Sequence, residues 1–61
     1  MNLFIICRKN GRAEISKEYK NKTREKAREI IKHYLVSYEG YICTCKTRQD
    51  AVKTIEGLNG K

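Results

Sequence analysis

The chain reads as an α+β domain of order ββαβα. Three features predict it: an apolar run that meets an Asn-Gly pair, and two amphipathic stretches behind threonine caps. Short connections favour a three-stranded antiparallel sheet of order 2-1-3 with both helices packed on one face. With 61 residues, all of it forms one domain, 1–61. A chain of this length buries only roughly 60% of the surface that its unfolded form exposes, so its stability is marginal.

Leu3 to Arg8 is rich in Phe, Ile and Leu and predicts the first strand. Asn10 and Gly11 both tolerate positive φ, as a two-residue type I′ turn demands. Arg12 to Tyr19 then returns as the second strand. A two-residue turn sets Ile6 opposite Ile15, Arg8 opposite Ala13 and Phe4 opposite Lys17. Phe4, Ile6, Ala13 and Ile15 would share one face of the pair. Leu3, Ile5 and Cys7 would share the other, across from Glu18, Ser16 and Glu14. The first strand is therefore apolar on both faces, as a central strand is.

Lys20-Asn21-Lys22 is a polar link. Thr23 is an N-cap with Glu25 in the first turn, where negative charge suits the helix dipole. Ala27, Ile30, Ile31, Tyr34, Leu35 and Tyr38 follow helical spacing, and Glu39-Gly40 ends the helix. Tyr41 to Cys45 predicts the third strand. Thr47 and Asp50 sit at capping-box spacing ahead of a stripe of Ala51, Val52, Ile55 and Leu58. Gly57 is expected in the left-handed C-terminal position, with residues 59–61 a frayed tail.

If both helices lie on one face, Leu3, Ile5 and Cys7 are left bare on the other. That predicts an interface there, with a second copy of the chain or another protein.

The net charge is +7 and is unevenly spread: residues 8–32 hold ten basic groups against four acids. Such asymmetry points to an anionic partner, either nucleic acid or an acidic protein surface. The expected phosphate contacts are Lys20, Lys22, Arg24 and Arg28, around the start of the first helix, and Arg8, Lys9 and Arg12, at the hairpin tip. Glu25 and Glu29 are spaced to pair with neighbouring lysines, so part of this charge serves solubility. Tyr19 and Tyr41 are candidates for stacking on bases.

Other chemistry finds less support. Cys7, Cys43, Cys45 and His33 are zinc-type ligands, but C-x-C is not the usual knuckle spacing and there is no second pair, so no metal or other cofactor is expected. The one His, one Asp and two serines form no nucleophile–base pattern, and there is no phosphate-binding glycine loop, so no catalytic residue is assigned. An odd cysteine count, with no secretion signal and no long apolar run, predicts a cytoplasmic protein with no membrane association.

Thr47 to Lys61, about a quarter of the chain, resembles the second helix and following loop of RNA-recognition motifs. Along that alignment Gly40, Ile42 and Cys45 stand where the family carries its stacking aromatics, and no helix separates the first two strands. The resemblance therefore implies no RNA site. The residues favour a small non-enzymatic module that binds nucleic-acid phosphates. The alternative is a protein-interaction module, such as a regulator or inhibitor of phage or mobile-element origin, meeting its partner through the Leu3, Ile5 and Cys7 face or along the exposed edge of the second strand.

Overall fold

The computed structural model describes residues 1–60. Strand β1 (Leu3–Lys9) runs into β2 (Arg12–Tyr19), then α1 (Arg24–Ser37), β3 (Tyr41–Cys45) and α2 (Arg48–Leu58). The sheet order is β2-β1-β3, with β1 antiparallel to both neighbours. α1 thus carries the chain across β1, from one edge strand to the other.

Local chemistry sets the boundaries. Asn10 and Gly11 take φ of 55° and 79°, the left-handed pair of a type I′ turn. Thr23 and Thr47 cap the two helices, their side chains accepting from the N–H groups of Lys26 and Asp50 at 3.1 Å each. α2 ends later than Gly57: Asn59 is the cap and Gly60 takes the left-handed turn, with φ 70°. Gly57 stays helical because Leu58 still follows it within the helix.

The helices lie on opposite faces of the sheet, not on one. Ala27 and Tyr34 of α1 pack against Leu3, Ile5 and Cys7. Ala51 and Ile55 of α2 pack against Phe4, Ile6 and Ala13. β1 is apolar on both faces and each face needs cover; a helix about 10–12 Å across spans most of a sheet whose strands lie about 4.8 Å apart, so one helix on each face supplies it. The molecule measures 33 × 25 × 12 Å; the shortest extent fits the sheet's width and the middle one a helix–sheet–helix stack. Each of the two fully buried isoleucines, Ile5 and Ile6, contributes about 2–3 kcal/mol by leaving water.

This arrangement removes the predicted interface. Leu3, Ile5 and Cys7 are only 1%, 0% and 8% exposed, covered by the chain's own α1. In turn α1 buries a narrower stripe than its periodicity suggests: Leu35 and Tyr38 are exposed.

The β1–β2 register follows the turn as far as Ile6, opposite Ile15, and then slips. Ser16 is skipped in the pairing, Ile5 pairs with Lys17, and Phe4 pairs with Glu18 in place of the expected Lys17. The bulge decides the electrostatics of the α2 face. Arg48 of α2 lies 5.5 Å from the Phe4 ring centroid, and its guanidinium donates to Glu18 at 3.0 Å. Without the slip a lysine would occupy Glu18's place beside Arg48. The slip also turns Tyr19 onto the α1 face, where its hydroxyl shares a 3.2 Å hydrogen bond with that of Tyr34.

The residues expected to fray are partly held. Asn59's side-chain amide accepts from the Ala13 N–H at 2.8 Å and donates to the Ala13 carbonyl at 3.1 Å. It acts as a short mock strand along the outer edge of β2. Lys61 lies outside the described residues.

Candidate nucleic-acid interface

The seven predicted phosphate contacts fall into two groups at opposite ends of β1. Six residue steps along the strand take Leu3 to Lys9, about 20 Å at 3.3 Å per step.

At the Leu3 end the chain is tied together before α1 begins. The Lys22 N–H donates to the Met1 carbonyl at 2.9 Å, and the Asn21 N–H to the Asn2 side chain at 3.2 Å. Asn21 takes φ 58° to make the turn. The start of α1 is thereby fixed over the end of β3. A cleft of about 280 Å³ opens between them, lined by Met1, Leu3, Arg24, Ala27, Arg28, Ile31, Thr44 and Lys46. Arg24 and Arg28 share it because residues four apart stack on one helical face. Lys46 enters from the β3–α2 turn.

Among the described residues, three cationic side chains and no acidic one line this cleft. The first N–H groups of α1, at Arg24 and Glu25, have no acceptor within the helix and carry the positive end of its dipole. Lys22 stands next to this site, its ammonium 5.9 Å from the Tyr19 ring centroid. Lys20 turns to the α2 side and lies 4.0 Å from Glu18.

At the other end Arg8, Lys9 and Arg12 are exposed at the hairpin tip, as the sequence predicts. Their surroundings differ: Glu14 and Glu39 line the same groove as Arg8 and Lys9.

Lys46 is the residue that sequence reasoning missed. It sits alone in a turn, outside any charge run, and only the meeting of α1 with the end of β3 brings it to Arg24 and Arg28. Tyr19 and Tyr41 are less available for stacking than expected. The Tyr19 ring has Lys17 and Lys22 both 5.9 Å from its centroid. Tyr41 packs against the α1 core and shares a 2.7 Å hydrogen bond with Thr44.

The thiols are divided between the two cores. Cys7 packs under α1, while Cys43 and Cys45 pack under α2. Burial raises the Cys43 thiol above its ordinary value, helped by the neighbouring Cys45.

Comparison of the chain with protein-family models, with curated proteins and with solved structures finds no match.

Proposed function

We propose that the chain is a small, non-enzymatic binding module whose basic cleft engages the phosphates of a nucleic acid. The observation that carries this reading is the convergence of Arg24, Arg28 and Lys46 on an acid-free cleft at the start of α1. Cations used only for solubility tend to be interleaved with acids, as Lys26 is with Glu29 at 3.8 Å and Lys20 with Glu18. Lys22 extends the surface, and the hairpin cations Arg8, Lys9 and Arg12 supply a weaker second contact. A cytoplasmic setting suits three unpaired thiols. Among the described residues no helix is long and apolar enough to cross a membrane.

Phosphate contacts carry no sequence information, so binding should be tight only at low salt and indifferent to base sequence. The test is a titration of a labelled duplex and a labelled single strand, both of mixed sequence, at two salt concentrations. Binding near micromolar that weakens steeply with salt is expected. No binding at low salt would exclude the reading and leave the protein-interaction alternative. That alternative would need a surface other than Leu3, Ile5 and Cys7, which α1 covers.

A further inference from the structure

The two edges of the sheet are treated differently. An open edge strand presents unpaired N–H and C=O groups that can template another strand, and soluble proteins usually obstruct it. β2 is obstructed in three ways. It carries Arg12, Glu14, Lys17 and Glu18, it bulges at Ser16, and the Asn59 amide occupies the N–H and C=O of Ala13. β3 carries no charge and no proline, and among the described residues its partner in the sheet is β1 alone. Its one irregularity is near its start, at Ile42, so Cys43 to Cys45 run in regular register.

Apolar side chains flank this edge on both faces. Ile31 of α1 lies with Thr44 in the cleft, and the Tyr34 ring is 6.2 Å from that of Tyr41, so α1 runs along β3 in the opposite direction. Leu35, one turn beyond Ile31 on the same side, is 64% exposed. On the other face Thr54 Oγ1 lies 3.6 Å from Cys45 Sγ. Leu58, one turn beyond Thr54, is 40% exposed.

We infer that β3 pairs antiparallel with β3 of a second copy of this chain, joining two sheets into one of six strands with Leu35 and Leu58 covered at the seam. The second copy is favoured over a foreign strand because an antiparallel pair has two-fold symmetry, so one edge is its own complement. The strand itself agrees: Tyr41 to Cys45 carry no charge, so two copies pair without like charges facing each other along it. The net charge of +7 on each copy opposes association, but charges more than about 8 Å apart are largely screened at physiological salt. A five-residue edge with two leucines on each side falls short of the roughly 800 Å² per partner of a standard interface, so a reversible dimer is expected.

The test is sedimentation of the free protein from about 1 to 500 μM, with hydrogen exchange at both ends of that range. A concentration-dependent shift from 7.2 kDa to twice that mass is expected, with slower exchange in β3 and none of that slowing in β2. Leu35→Glu changes an exposed residue, so it should leave the circular dichroism unchanged and hold the protein monomeric. A monomer throughout the range would overturn the inference. So would a dimer that Leu35→Glu does not weaken, or one that protects β2 instead. None of these readouts involves nucleic acid, so failure here leaves the cleft reading standing.

Discussion

The two ends of β1 carry similar numbers of cations and handle them differently. At the Lys9 end the chain turns tightly, and Arg8, Lys9 and Arg12 project from the tip beside Glu14 and Glu39. At the Leu3 end a helix start, a strand end and a turn meet, and three cations face a cleft that no acid lines among the described residues. Charge density along the sequence does not separate the two. What separates them is which distant residue folding brings in: acids at one end, Lys46 at the other.

The hairpin end is held by a few bonds, each of which can be removed. The largest effect is expected at Gly40, whose φ of 87° suits glycine. A Cβ there would lie 2.9 Å from the Arg8 carbonyl oxygen, while the Gly40 carbonyl itself accepts from the Arg8 N–H at 2.7 Å. Gly40→Ala should cost about 2–3 kcal/mol in urea unfolding, from left-handed strain plus displacement of the Arg8 backbone. Asn59→Ala should cost less, about 1–2 kcal/mol, by releasing both hydrogen bonds to Ala13. If it cost nothing, Asn59 would not be guarding the β2 edge.

A smaller effect emerges at high pH. Burial, reinforced by the Tyr19 hydroxyl, raises Tyr34 well above the ordinary tyrosine value of 10.0. The folded chain therefore holds this proton after the unfolded chain has released it. The contribution is intact below pH 10 and declines as pH rises further, at up to about 1.4 kcal/mol per unit. Tyr34→Phe should flatten this part of the alkaline decline while losing about 1 kcal/mol at neutral pH with the Tyr19 bond. Denaturant midpoints at pH 8, 10 and 11 would show both.

Much of the fold was legible because its signals are local. Asn10-Gly11, Thr23 and Thr47 each need only their immediate neighbours to act, and all three take the turn and cap roles that their residue types favour. The placement of α2 was not legible in the same way, although its signal was present. β1 is apolar on both faces, which calls for cover on both, and one helix on each face supplies it. Assigning that second cover to a partner made Leu3, Ile5 and Cys7 look exposed. The slip at Ser16 has no local marker; it accompanies contacts between residues far apart in sequence, Glu18 with Arg48 and Tyr19 with Tyr34. The cleft was half legible for the same reason. Arg24 and Arg28 follow from helical spacing, whereas Lys46 depends on tertiary structure.

The most direct test sets the two ends against each other at equal net charge. One variant combines Arg24→Gln, Arg28→Gln and Lys46→Gln; the other combines Arg8→Gln, Lys9→Gln and Arg12→Gln. Each is titrated with the same labelled duplex over a range of salt. The cleft variant is expected to lose roughly tenfold or more in affinity at low salt. Its salt slope should fall by about 2–3, since each phosphate no longer neutralised lowers the slope by about 0.9. The hairpin variant should lose clearly less of both. Equal losses in the two variants would mean that net charge alone attracts the nucleic acid, and would contradict a phosphate site at the start of α1.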